Sequence, residues 1–105
     1  VNPDKSLGES EVLHDFGPDR GIDGMCLDID GNIVATAGWE LGGPGPMIYV
    51  FSPGGKILDS HPVPANRPTN CAFGGEKMST LYVTTIDGHL FKIETELTGI
   101  NIIRK

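Results

Sequence analysis

A sequence segment that occurs twice constrains this chain more than any other feature. The first copy starts at residues 21–28 and leads through a turn into 33–37. The second copy starts at residues 67–75 and leads through a turn into 81–85. A repeat of about 46 residues that contains only short strand-like stretches is typical of β-propeller blades. Because propellers need about four to eight blades to close a ring, the chain is predicted to be all-β and to supply only two of them.

Charge and hydropathy argue against two classes of partner, nucleic acids and membranes. The net charge is −6, and an acidic surface repels phosphate backbones, so nucleic acid is not an expected partner. No apolar run approaches the roughly 20 residues that cross a bilayer, so no membrane partner is expected either. The 15 glycines and 8 prolines lie between apolar runs, which favours short strands joined by tight turns.

Alternation of apolar and polar residues, together with β-branched and aromatic content, predicts eight strands and no helix. The Gly- and Pro-rich residues 39–46 are predicted to form a loop, and residues 95–105 have no clear assignment. The predicted strands are residues 11–16, 25–29, 33–37, 47–51, 56–61, 70–73, 81–85 and 89–94.

These strands predict blades that are out of phase with the chain. Residues 1–17 would hold the outer strand of a preceding blade, and residues 18–64 a complete blade. Residues 65–97 would form a final blade that lacks its outer strand, followed by a tail at 98–105. Residues 11–16 of one copy would then complete the last blade of another, so that three copies close a six-bladed homotrimeric ring. The alternative is that the chain is part of a longer protein whose N-terminal blades complete the ring.

The two cysteines, Cys26 and Cys71, fall one residue apart in the alignment of the repeat. Both are surrounded by apolar residues in inner-strand positions, which predicts buried free thiols. A disulfide between them is the alternative that the sequence leaves open.

Several familiar kinds of site are excluded or disfavoured. There is no Gly-x-Ser-x-Gly elbow, and the three histidines share no ligand spacing, which disfavours a Ser-His-Asp hydrolase. Residues 28–32 resemble a Ca²⁺ loop only superficially, because the glycine is misplaced and no glutamate follows at the twelfth position. Asp30-Gly31 is predicted to be a hairpin turn instead.

Four segments together resemble one known family. Residues 22–28 (Ile-Asp-Gly-Met-Cys-Leu-Asp), 53–56, 68–75 and 81–84 are similar to the last two blades of the gluconolactonase, regucalcin and senescence-marker-protein family. The resemblance extends from about residue 10 to about residue 95. It implies a six-bladed propeller that binds one divalent cation at the mouth of the central channel and hydrolyses lactones or related esters.

The resemblance also implies roles for residues. Asp23 matches the family's metal-binding aspartate, which is also thought to take part in proton transfer. The family's other ligands, a glutamate and an asparagine, belong to blades that this chain does not contain. Ca²⁺ is the favoured cation, with Mg²⁺, Zn²⁺ or Mn²⁺ as alternatives, and the substrate is a small lactone or ester. The alternative function is a non-catalytic binding or structural propeller module, or an inactive fragment of a longer lactonase.

Three residues are the candidate site. With the family resemblance, Asp23 is the candidate metal ligand and catalytic residue, whereas the residues alone favour a turn aspartate bonded to its own backbone. Asn70 is a candidate for binding substrate, and a structural bond to the adjacent loop is its alternative. Trp39 would line a sugar-like substrate, or else pack against the neighbouring blade.

Overall fold

The computed structural model describes residues 8–100, and all regular secondary structure in that range is β. The all-β prediction is therefore confirmed. Within this range no helix is long and apolar enough to cross a membrane. The strands are β1 (Ile22–Leu27), β2 (Ile33–Trp39), β3 (Gly42–Phe51), β4 (Ile57–Pro62), β5 (Pro68–Gly74), β6 (Thr80–Thr85) and β7 (Leu90–Glu94).

The strands form two antiparallel sheets, each a simple up-and-down meander. The first sheet has the order β1-β2-β3-β4, and the second has the order β5-β6-β7. Tight turns join the strands, and Gly31 and Gly88 take the positive φ values of 82° and 89° that such turns require. The hairpin turn predicted at Asp30-Gly31 is present, since Gly31 N donates to Asp28 O.

The hydrophobic core lies between the two sheets, where β5 packs across β1 and β2. Burial alternates along β6, with Leu81 and Val83 buried and Tyr82 exposed, as expected for a strand with one face against a core. The opposite face of the second sheet is open in the described chain. The buried apolar residues of the core are Val34, Ile48, Val63, Cys71, Leu81 and Val83.

The predicted loop at residues 39–46 is wrong. Strand β2 continues to Trp39, and β3 already begins at Gly42, which pairs with Trp39. Two of the glycines that suggested a loop instead permit the irregular pairing there: Gly43 has φ 58° and Gly45 has φ 90°, values that most side chains disfavour.

The strand predicted at residues 11–16 does not form within the single chain, because these residues join neither sheet. Its pairing with a blade of another copy or of a longer protein stays a prediction. Residues 11–16 run over β3, with the Phe16 ring 5.6 Å from the Tyr49 ring and 6.3 Å from the Phe51 ring. His14 adds a contact to Phe51 at 5.1 Å between ring centroids. His14 and Phe16 of this segment therefore cover the aromatic side chains of β3.

The two sheets span 22–62 and 68–94, and the division of the chain into blades at 18–64 and 65–97 remains a prediction. Part of the predicted tail is ordered against the first sheet. Ile29 N donates to Thr98 O at 2.8 Å, and Gly99 forms a bridge with Asp28. Residues 101–105 of the tail, and residues 1–7, lie outside the described residues.

Candidate functional site

Asp23 lies on a bulge in the inner strand of the first sheet. The pairing of β1 with β2 shifts by one residue between Ile22 and Met25, so Asp23 and Gly24 both lie opposite Thr36. The buried Thr36 hydroxyl accepts from Gly24 N at 3.0 Å and donates to Gly24 O at 3.1 Å. A bulge changes the direction of a side chain relative to the regular strand. The prediction of a turn aspartate is therefore replaced by a bulge held from the neighbouring strand.

The second sheet has a matching bulge. The pairing of β5 with β6 shifts between Pro68 and Asn70, which leaves Thr69 as the extra residue. Its hydroxyl lies 2.9 Å from the Thr84 hydroxyl and donates to Thr84 O at 3.2 Å. The repeat thus reproduces the bulge in both inner strands, but only the first copy has a carboxylate there.

The two bulges touch where β1 packs against β5, a contact that we call the seam between the sheets. A Cβ atom built on Gly24 would lie 2.6 Å from both Asn70 Cα and Thr69 O, so only glycine fits. Asn70 itself is exposed, and its Oδ1 accepts from Cys71 N at 2.9 Å. The structure therefore places Asn70 beside the peptide that follows Asp23, and its amide group is partly engaged with its own strand.

Arg20 is a residue of this site that the sequence analysis missed. Its Nη2 donates to Asp23 Oδ2 at 2.7 Å, and its Nη1 donates to Gly38 O at 2.8 Å and to Pro68 O at 3.3 Å. One guanidinium therefore holds the candidate carboxylate and joins both sheets. The signal for it is in the repeat, because an arginine stands just before each inner strand, as Arg20-Gly21 and Arg67-Pro68.

Trp39 lies at the end of β2 and is partly buried. The Arg67 guanidinium sits 5.3 Å from the centre of its ring, a cation–π arrangement. Arg67 also forms an ion pair with Glu40 at 3.3 Å. Trp39 follows Gly38 and Arg67 precedes Pro68, the two residues whose carbonyls bind Arg20, so this group adjoins the Asp23 site. One face of the indole is already covered by protein.

The residues present supply one oxygen ligand for a metal. The Asp23 side chain is 46% exposed, and a carboxylate oxygen is a ligand that hard cations prefer. Within residues 8–100, however, no group of three His, Cys, Asp or Glu side chains is placed to hold a metal ion. Ca²⁺ takes about six to eight oxygen ligands. Asp23 therefore fits a cation site only as one member of a ligand set that must be completed from elsewhere.

One cavity in the described part of the chain lies away from Asp23. It is a groove of about 520 Å³ between the sheets, lined by Val34, Ile48 and Leu81 and, at its rim, by His61 and Glu94. It opens beside β7, which pairs only with β6 among the described strands. The groove is thus a space at the open edge of the second sheet, and its apolar lining belongs to the core.

Comparisons with known proteins all indicate the same family. Residues 1–87 match the family model described as the SMP-30/Gluconolactonase/LRE-like region. A 6-deoxy-6-sulfogluconolactonase from Pseudomonas putida is 34% identical over 81% of this chain and 28% of its own length. Regucalcin from Danio rerio is 35% identical over 75% of this chain and 26% of its own length.

A solved structure agrees with this result. An X-ray structure of a protein provisionally described as a gluconolactonase superposes with a TM-score of 0.61 and 30% identity, over 76% of this chain and 24% of that one. The chain therefore spans roughly a quarter of the relatives that it matches. Because the family model covers most of its residues, the chain belongs to the SMP-30/gluconolactonase/LRE-like family, and its two sheets are blades of a β-propeller.

Proposed function

We propose that this chain is part of a metal-dependent hydrolase of lactones or related esters, in which Asp23 is a ligand of the cation. Membership of the gluconolactonase-like family supports lactone hydrolysis at the level of the family. The observation that carries the finer proposal is the bulge of β1, which presents a half-exposed carboxylate at the seam of the two inner strands.

Each residue of the candidate site would have a separate role. A divalent cation, when bound, polarises a carbonyl and acidifies a water molecule. Arg20 holds Asp23 Oδ2, and no described residue bonds Oδ1, which is therefore available as a ligand or a proton acceptor. The Asn70 amide nitrogen is a donor for a substrate oxygen, and Trp39, which is partly buried, would line a sugar-like ring. Ca²⁺ is the first cation to test, followed by Mg²⁺, Mn²⁺ and Zn²⁺.

The remaining ligands and blades must come from outside this pair of sheets. We propose that they come either from two further copies in a homotrimeric ring or from N-terminal blades of the same protein. Two features favour association with further blades: β7 has an unpaired edge in the described chain, and apolar side chains are exposed on both sheets. These exposed side chains include Met25 (59%), Leu27 (43%), Tyr82 (38%) and Leu90 (68%).

A second candidate function is a non-catalytic binding or structural module, or an inactive fragment of a longer lactonase. It is favoured by the single carboxylate at the site and by the fraction of its relatives that the chain spans. The two candidates differ in whether assembly of a ring yields turnover.

The test compares Asp23→Asn with Asp59→Asn, a matched change at an exposed position on β4. The native mass of the chain is measured first, with and without Ca²⁺, and the assembled form is assayed with glucono-1,5-lactone. We expect turnover that a chelator abolishes, that Asp23→Asn lowers about 100-fold and that Asp59→Asn leaves unchanged. Equal turnover by both variants would reject Asp23 as the ligand. An assembled ring without lactone turnover would favour the non-catalytic module.

A further inference from the structure

Two thiols face each other across the seam between the blades. Cys26 lies on β1 of the first sheet and Cys71 on β5 of the second, and their sulfur atoms are 3.7 Å apart. Both are free cysteines separated by 45 residues of chain, but of the two thiols predicted to be buried only Cys71 is, and Cys26 is partly exposed. The contact therefore brings together two residues that are distant in sequence and that lie in different sheets.

The environments of the two thiols differ. Cys71 is buried, with 6% of its surface exposed, and its sulfur lies 3.4 Å from Val34 O, which accepts its hydrogen bond. Cys26 is only partly buried, so a small reagent reaches it first. The contact between the two thiols lowers the pKa of Cys26, whereas that contact and burial raise the pKa of Cys71. A lowered pKa increases the thiolate fraction, which is the reactive form.

We propose that Cys26 and Cys71 are a redox site that closes into an intramolecular disulfide when the chain meets a low-molecular-weight disulfide such as glutathione disulfide. A disulfide requires about 2.05 Å between the sulfurs, so they must approach by less than 2 Å. The backbones on which they lie are already close, since β1 and β5 touch at Gly24 and Asn70. The proposal requires that the side chains of Cys26 and Cys71 rotate to close the remaining gap between sulfurs that are 3.7 Å apart.

The reaction proceeds by two exchanges. The Cys26 thiolate attacks one sulfur of glutathione disulfide, which forms a Cys26–glutathione bond and releases one glutathione thiolate. Cys71 then loses its proton to solvent and attacks the Cys26 sulfur, which forms the Cys26–Cys71 bond and releases the second glutathione thiolate. The two protein thiols are oxidised, and glutathione disulfide is reduced to two molecules of glutathione.

The disulfide would join the two strands that carry the candidate site. Asp23 lies three residues before Cys26 on β1, and Asn70 immediately precedes Cys71 on β5. Oxidation would therefore fix the seam beside these side chains, whereas reduction would leave it held by packing and by Arg20. This inference does not depend on lactone hydrolysis.

The test follows the reduced, folded chain in glutathione disulfide by intact mass, with peptide mapping under non-reducing conditions. The variants are Cys71→Ser and Cys26→Ser, and the wild-type chain in urea is the unfolded reference. We expect the wild type to lose two hydrogen atoms, with a Cys26–Cys71 peptide and little glutathione adduct. Cys71→Ser should accumulate the Cys26–glutathione adduct, and Cys26→Ser should react at least about tenfold more slowly because Cys71 is buried.

Three outcomes would overturn the inference. In the first, the wild type stops at the glutathione adduct, as Cys71→Ser does. In the second, it forms a disulfide between two chains. In the third, the folded chain closes no faster than the chain in urea, although contact in the fold should raise the effective concentration of the second thiol well above that of a flexible loop.

Discussion

The carboxylate of Asp23 and the guanidinium of Arg20 form an ion pair of 2.7 Å, and the same guanidinium binds a carbonyl oxygen of each sheet. The candidate site and the seam between the blades therefore depend on one side chain. A change at Arg20 acts on packing between the blades, whereas a change at Asp23 removes only one of the three partners of Arg20.

This difference predicts unequal losses of stability. Arg20→Ala should lower the free energy of unfolding by about 1–3 kcal/mol, because it leaves the carbonyls of Gly38 and Pro68 without their partner. Asp23→Asn should cost at most about 1 kcal/mol, because its side chain is 46% exposed and the pair is solvated. Urea unfolding of both variants measures the difference. A loss for Asp23→Asn as large as that for Arg20→Ala would contradict the role of Arg20 in joining the sheets.

The close approach of the two bulges makes Gly24 irreplaceable. In Gly24→Ala the new methyl group would meet Asn70 and the backbone oxygen of Thr69, and backbone cannot move aside as a flexible side chain can. We expect a loss of about 1–3 kcal/mol, the usual cost of overpacking. Gly21→Ala is the matched control, since a Cβ there meets only Phe16 at 3.6 Å, an ordinary contact. Equal thermal unfolding midpoints for the two variants would contradict the close approach of Gly24 to β5.

Much of the fold was predictable because runs of β-branched residues favour strands locally, and the repeat shows that the same strands recur. The strands around residues 33–37, 47–51 and 81–85 follow from such runs, and each is present. The predicted loop at residues 39–46 is wrong because glycines, which often mark a loop, also permit an irregular strand pairing. Residues 11–16 read as a strand, but the sequence does not show that Phe16 packs on Tyr49.

The sequence allowed the candidate carboxylate to be chosen, but it did not reveal the contacts around that carboxylate. Asp23 could be singled out from its motif. The repeat marks the position of Arg20, but its contacts could not be predicted, because one of its carbonyl partners lies 48 residues away. The contact of Cys26 with Cys71 has the same origin, since it forms only when one blade packs on the next. A repeat shows that two blades have the same arrangement of strands. Which side chains meet between the blades depends on how the blades pack.

Asp28 should be the most sensitive acidic residue of the first hairpin. It is 1% exposed, and its two oxygens accept from Asp30 N, Asn32 N and Asn32 Nδ2, each at 2.9 Å. Asp28→Ala would leave these donors without an acceptor, at an expected cost of about 1–3 kcal/mol.

Asp30→Ala in the same turn is the control, because Asp30 is exposed and surface changes stay within about 0.5 kcal/mol. Chemical denaturation of the two variants gives the comparison. Similar losses would mean that the turn tolerates the change and that the buried carboxylate adds little.

The last prediction concerns acid. Asp87 accepts a short hydrogen bond from the Thr85 hydroxyl and lies 3.0 Å from His89 Nδ1, and these two contacts lower its pKa from 3.8 to about 2. Because the pKa is lower in the folded state, the ionised carboxylate stabilises the fold above its ordinary pKa. That contribution is lost as the pH falls from about 4 to about 2, where the folded-state carboxylate becomes protonated.

Asp87→Asn should therefore lose less stability than the wild type between about pH 5 and about pH 2.5. Asp59→Asn, at an exposed position on β4, serves as the control for a change in net charge. Urea midpoints at the two pH values measure the effect, and an NMR titration of the Asp87 carboxyl measures its pKa directly. Thr85→Val should move that pKa back toward 3.8, since the Thr85 hydroxyl is the largest cause of the shift. A titration near 3.8 in the wild type would show that these contacts do not hold the carboxylate in solution.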